Sequence, residues 1–212
     1  MISKNVTHLI TTIERGGAEK QLLTLASEQV QSGLNVVVLY LKGKPDLRND
    51  FEAAGVEVNN LLVEKSFLKQ IFLLSKYLRK NPSPVHAHLP KSELLAAVVI
   101  AKKYFVISRH NAEAFWPGGP RVISNLLSKF VCKRASQGIA ISNAVKSYLI
   151  NRGEVPNGYT IAVVYYGFQK DVSTNSAGLK FVINLINGQN NSIPDNVELI
   201  NNVLNKLNTI QK

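Results

Sequence analysis

Three short stretches of this chain place chemically active residue types where strands should end. The first is Glu14-Arg15-Gly16-Gly17-Ala18-Glu19, between an apolar run from Val6 to Ile13 and a helical stripe of Leu22, Leu25, Ala26 and Val30. Paired glycines let backbone approach a ligand, and the first amides of a helix have no internal partner. This turn therefore predicts a cradle for a phosphate or sugar built from Gly16, Gly17 and Ala18. Glu19 falls in the first helical turn, where a carboxylate caps amides or receives a sugar hydroxyl. Arg15 and Ala18 break the G-x-G-x-x-G spacing of dinucleotide sites, so no hydride-transfer cofactor is expected.

The second stretch is Val85-His86-Ala87-His88. Residues two apart on a strand share a face, so the imidazoles point the same way. Such a pair can begin a metal site, but the sequence identifies no third ligand. No metal is expected, with His86 packing and His88 lining a pocket. The third stretch, Ser108-Arg109-His110-Asn111 with Glu113, gathers a cation, an imidazole, an amide and a carboxylate in one loop. His110 could orient a hydroxyl or stabilise developing charge, and Arg109 could grip a phosphate or carboxylate bidentately. Asn111 and Glu113 offer polar contacts, and Trp116, beside Phe115, offers the flat apolar surface on which sugars stack. For each stretch the structural alternative is a tight or solvated turn with no ligand.

These loops need a scaffold that brings them together. Short β-rich runs alternate with helical periodicity, predicting an α/β fold: a doubly wound, Rossmann-like parallel sheet of about seven strands with helices on both faces. The predicted strands are 6–13, 35–41, 56–63, 84–88, 104–108, 138–142 and 160–166, with helices near 17–32, 46–54, 66–80, 91–103, 120–134 and 143–152. Gly33, Gly55 and Gly153 stand just past three of these helices as stop signals. In the usual 3-2-1-4-5 order, with later strands outside, direction reverses between the first and fourth strands, where open α/β sheets bind ligands. The glycine turn, His88 and His110 would then face one crevice.

The chain has 212 residues, a net charge of +11, 45% hydrophobic and 18% charged residues, which favours a globular fold with an anionic partner. The longest apolar run, Leu94 to Ala101, is far short of the roughly 20 residues a membrane span needs. Met1-Ile2-Ser3-Lys4 leads straight into a strand, so no signal peptide is expected, and the lone Cys132 excludes an internal disulfide. The expected location is cytoplasmic. Two basic amphipathic helices, around Lys65, Lys69, Lys76, Arg79 and Lys80 and around Arg121, Lys129, Lys133 and Arg134, add an anionic membrane surface as a partner. Residues 172–212 differ: ten asparagines surround one apolar helical pattern, giving a tail with a possible docking helix after a main domain of 1–171.

The order of these motifs resembles the N-terminal domain of glycosyltransferase family 4. The likeness extends through Ile139-Ala140-Ile141-Ser142-Asn143-Ala144-Val145, Asn151-Arg152-Gly153 and the segment from Thr160 to Tyr166-Gly167-Phe168-Gln169-Lys170-Asp171, covering about residues 5–171. The resemblance implies one half of a GT-B fold, a retaining and metal-independent reaction, and a nucleotide sugar as co-substrate rather than any cofactor. It implies a polysaccharide or lipid-linked glycan acceptor, with Gly16 and Gly17 beside the donor diphosphate and His110 near the transferred sugar. Ser142 falls on the acceptor side of the cleft. The family's donor domain carries two glutamates separated by seven residues, whereas only Glu198 follows Asp171 here. The leading expectation is therefore an acceptor-binding half, inactive alone, with a separate donor-domain subunit as a further partner. A non-catalytic module that binds glycan, lipid or protein is the alternative. Nucleic acid ranks third, because no DNA or RNA module is recognisable.

Overall fold

The computed structural model describes residues 5–165, without the side chain of Lys103. The expected tail and the turn from Tyr166 to Asp171 lie outside the described residues. Seven strands form one parallel sheet: β1 (Asn5–Ile10), β2 (Asn35–Tyr40), β3 (Glu57–Asn59), β4 (Val85–His88), β5 (Phe105–Arg109), β6 (Gln137–Ala140) and β7 (Ile161–Val163). Six helices connect them: α1 (Gly17–Gln31), α2 (Arg48–Ala53), α3 (Phe67–Lys80), α4 (Pro90–Val99), α5 (Arg121–Arg134) and α6 (Asn143–Arg152). The spatial order is β3-β2-β1-β4-β5-β6-β7, so the predicted reversal lies between β1 and β4.

Strand parity divides the core in two. Even-numbered residues Val6, Ile10, Val36, Val38, Tyr40 and Val58 pack with Leu22 and Ala26 of α1 and Phe51 of α2. Odd-numbered residues Leu9, Leu39, Val85, Ala87, Phe105 and Ile107 pack with Leu74 of α3, Leu95 of α4 and Val131 of α5. Alternating side chains thus bury both faces, and the strands read as near-continuous apolar runs.

Where elements are shorter than expected, a local bond takes over. The third strand ends at Asn59, whose side-chain oxygen accepts from Leu61 N at 3.0 Å and turns the chain. The helix expected to reach residue 103 stops at Val99 and is followed by a 3-10 turn over Lys102–Tyr104. There Arg134 reaches from α5 to donate to the Ala97 and Ile100 carbonyls at the α4 terminus. Gly153 closes α6 at φ 75°, a left-handed conformation that glycine adopts without cost.

Candidate functional site

A cavity of about 750 Å³ opens at the carboxyl ends of β1, β4 and β5. It is walled by Thr11 and Thr12 after β1, Leu89 and Pro90 after β4, Arg109 at the end of β5, and His110, Asn111 and Glu113 to Trp116 beyond it. His110, Asn111, Glu113 and Trp116, all from the loop after β5, line this cavity, whereas Gly16, Gly17, Ala18 and His88 are not among its lining residues. Trp116 is 47% exposed, and its ring lies so close to Gly119 that a Cβ there would approach it to 2.5 Å. Phe115 also lines the cavity but is only 4% exposed, packed beneath the Arg109 guanidinium at 4.8 Å, so Trp116 supplies the exposed aromatic surface of the lining. A second hollow, of about 490 Å³ between α3 and α4, lies at the opposite end of the sheet.

Entry to the site passes a strained residue. Leu89, between β4 and α4, has φ 73° and ψ 147°, close to a region that only glycine visits easily. This lets Pro90 start α4 at once while Ser92 Oγ donates to the His88 and Leu89 carbonyls. The glycine turn sits at the same edge. Gly16 is extended, not left-handed, and the space above its Cα is filled by the Glu19 carboxylate, 2.3 Å from where a Cβ would lie. Glu19 accepts from Thr12 Oγ1 at 2.7 Å and is buried, so it braces the turn against β1 rather than opening into the cavity. A Cβ added at Gly17 meets no atom within 4 Å among the described residues, leaving the first turn of α1 open to approach.

Arg109 and His110 leave β5 on opposite faces, as consecutive strand residues must. Arg109 goes beneath α4 and α5. It is 6% exposed, with Nε 2.8 Å from Glu93, Nη1 3.7 Å from Glu154 and Nη2 donating to Ser128 Oγ at 3.2 Å. The bidentate grip expected for a ligand is spent on carboxylates of the chain itself. Burial pushes the Glu93 carboxyl up to about 7, against the pull of Arg109 and with repulsion from Glu154. Ser142 likewise serves the fold. Its Oγ accepts from Val145 N at 3.2 Å, capping α6, and it does not line the cavity.

His110 goes to the α1 face and joins a cluster that contains all four histidines of the chain. Gln29 Oε1 lies 2.7 Å from His8 Nε2, His8 Nδ1 lies 3.0 Å from His88 Nε2, and His88 Nδ1 lies 3.1 Å from His110 Nε2. His86 Nε2 bonds Ser108 Oγ at 2.7 Å. His88, expected to line the pocket, is instead fully buried one layer below His110. Burial lowers His8 to about 4, opposed by its bond to Gln29, and lowers His110 to about 4. His86 and His88 are held well below the ordinary value by burial first and neighbouring imidazoles second. All four rings are therefore neutral near pH 7.

His8 was missed by sequence reasoning. Its signal was parity: the ladder sets His8 opposite His86 and Ser108 opposite His88, so positions 8, 86, 88, 108 and 110 share one face.

Residues 15–171 match the description Glycosyltransferase Family 4. The chain belongs to this family. Among solved structures, Anabaena Alr3699/HepE in complex with UDP-glucose is similar with a TM-score of 0.61 at 16% identity, over 77% of this chain and 44% of that one. The same protein with UDP and glucose gives 0.59 at 19% identity, again over 77% and 44%. A glycosyltransferase from Rickettsia africae ESF-5 gives 0.56 at 18% identity, over 76% and 42%. At these identities the likeness shows the fold, and the family 4 chain spans less than half the length of either protein. No curated protein matches it in sequence. The Rossmann-like sheet thus has the fold of one half of the GT-B architecture, and the cavity of this family 4 domain lies at the switch-point edge, where open α/β sheets in general take ligands.

Proposed function

We propose that this family 4 domain is the acceptor-binding half of a retaining glycosyltransferase that uses a nucleotide sugar to extend a polysaccharide or lipid-linked glycan. The observation that carries the reading is the cavity at the switch point. Its rim combines one exposed aromatic face with hydroxyl, amide and carboxylate groups, the mixture that recognises a sugar. Gly16, Gly17 and Ala18 form the open start of α1, downstream of the Thr11 and Thr12 that wall the cavity, and suit a diphosphate brought by a donor domain in the same chain or a separate subunit. His110 is the residue closest in kind to a catalytic group. As a neutral imidazole at the rim it orients a hydroxyl, while Arg109 acts from behind as a fixed counter-charge. Residues 5–165 alone are expected to bind acceptor without turnover.

Titration calorimetry and product assays on the 212-residue chain test this. Oligosaccharide acceptors should perturb the Trp116 indole signal, and UDP-sugars should bind weakly. Tight, saturable nucleotide-sugar binding or turnover by this chain would overturn the half-enzyme reading. Addition of a family 4 donor domain without any gain in turnover would favour a non-catalytic binding module.

Apart from the cavity, α3 carries a surface suited to an anionic membrane. On α3, Leu68 and Phe72 are 79% and 60% exposed, four residues apart, and are flanked by exposed Lys65, Lys69, Lys76, Arg79 and Lys80. On α5, Arg134 turns inward to α4, while Val122, Ile123, Leu126 and Phe130 are exposed beside Arg121 and Lys133. No helix of the described residues is long and apolar enough to cross a membrane. Anionic vesicles should therefore retain the chain through α3, and Leu68→Glu with Phe72→Glu should release it. Equal recovery on neutral vesicles removes this part of the reading.

A further inference from the structure

The histidine cluster has a geometry that hydrogen bonding to the cavity does not use. One nitrogen from each of His8, His86 and His88 lies within 4.8 Å of the other two. The remaining nitrogen of each ring is held from outside: His8 Nε2 by Gln29 Oε1, His86 Nε2 by Ser108 Oγ, and His88 Nδ1 by His110 Nε2. His8 Nδ1 and His88 Nε2 face each other at 3.0 Å, and the His86 nitrogen not bonded to Ser108, Nδ1, is taken as the third donor. We propose that these three nitrogens form a binding site for a divalent transition metal of the zinc class, beneath the β1–β4 switch point. The inference does not depend on the glycosyltransferase reading.

Two features support it. Metal-bound imidazoles typically have their second nitrogen fixed by an outer partner, and here all three do. Two nitrogens about 2.0–2.1 Å from a tetrahedral zinc lie about 3.3 Å apart; His8 Nδ1 to His88 Nε2 is 3.0 Å, and the three donors lie within 4.8 Å of one another, so binding requires the half-buried His86 ring to close on the other two. Imidazole-only donors favour zinc, copper or nickel over magnesium or calcium. Among the described residues no other His, Cys, Asp or Glu joins the group, which leaves the fourth position to water or a small ligand.

Binding would be read at the cavity. Without metal, Gln29 Oε1 accepts from His8 Nε2–H, so His8 Nδ1 accepts from His88 Nε2–H and His88 Nδ1 accepts from His110 Nε2–H. A metal takes the lone pairs of His8 Nδ1 and His88 Nε2. The His88 proton then resides on Nδ1 and is donated to His110 Nε2, and the His110 proton moves to Nδ1. The count of protons is unchanged, but the hydrogen-bond polarity of His110 reverses.

The test is reconstitution of the chelator-stripped full chain with Zn²⁺ or Co²⁺, followed by metal analysis, cobalt absorption and ¹⁵N-histidine NMR. One equivalent per chain, tetrahedral cobalt bands and exchange of the protonated nitrogen of His110 are expected. His8→Gln and His88→Gln should each weaken binding at least tenfold. If either variant fails to fold, the wild-type spectrum decides: signals of His8, His86 and His88 unmoved by one equivalent of Zn²⁺ overturn the site. So does substoichiometric metal after reconstitution, or metal retained undiminished by a folded His8→Gln chain.

Discussion

Replacing Arg109 with methionine removes the cation that faces Glu93 at 2.8 Å while keeping much of the side-chain volume. Removing one partner of a buried ion pair costs about 3–5 kcal/mol, because the other charge stays behind without compensation. Glu93 has no exposed surface, and even with Arg109 present burial holds its carboxyl up at about 7. The sign follows from linkage. A carboxyl raised in the folded state favours folding below its unfolded value, near 4.5, and that advantage is lost as pH rises through 7. Without the arginine the folded value climbs further, so the variant suffers most at alkaline pH, where the carboxyl must ionise or hold its proton against the solvent. Urea denaturation of both proteins should show a loss of about 3–5 kcal/mol at pH 8, narrowing by more than about 1 kcal/mol at pH 5.5. Adding Glu93→Gln to Arg109→Met should recover part of the loss at pH 8. A deficit below about 1 kcal/mol at pH 8, or one independent of pH, would refute the view that Arg109 is engaged by its own carboxylates. It would return the guanidinium to the role of ligand grip.

Other outcomes follow from the same geometry. With chelator present, stability should rise with pH between about 4 and 6.5, since unfolded His8 and His110 bind protons there and the buried rings do not; a flat denaturation profile contradicts the neutral cluster. Trp116→Ala should leave the melting temperature nearly unchanged and weaken oligosaccharide binding up to about tenfold, measured by calorimetry, as loss of one stacking face implies. Ser142→Ala should cost about 0.5–2 kcal/mol in urea without altering acceptor affinity, because the hydroxyl caps α6.

The order of the sheet and the shared rim were legible because parallel α/β units announce themselves through alternating periodicity, and the switch-point rule then fixes where the loops converge. What the individual side chains do there was less legible. Arg109 and His110 are adjacent in sequence, yet their fates are opposite, and only the partners supplied by α4, α5 and the loop after α6 reveal that Arg109 is consumed. Glu93 and Glu154 carried no motif; they are single acids in helical or loop sequence, 61 residues apart, that a tertiary fold brings to one guanidinium. Ser142 could have been read as a cap, since it directly precedes a predicted helix. His8 sat in an apolar strand, and its meaning depended on a register known only once β1 and β4 are paired.

The opposite exits of residues 109 and 110 restrict how such a domain can diversify. A single-residue insertion or deletion within β5 would trade an imbedded guanidinium for an imidazole, stranding Glu93 and dismantling the histidine cluster in one stroke. Length variation is therefore confined downstream, to the exposed stretch from Asn111 to Glu113 and the turn from Pro117 to Pro120, where the chain can lengthen without disturbing the parity of the strand behind it.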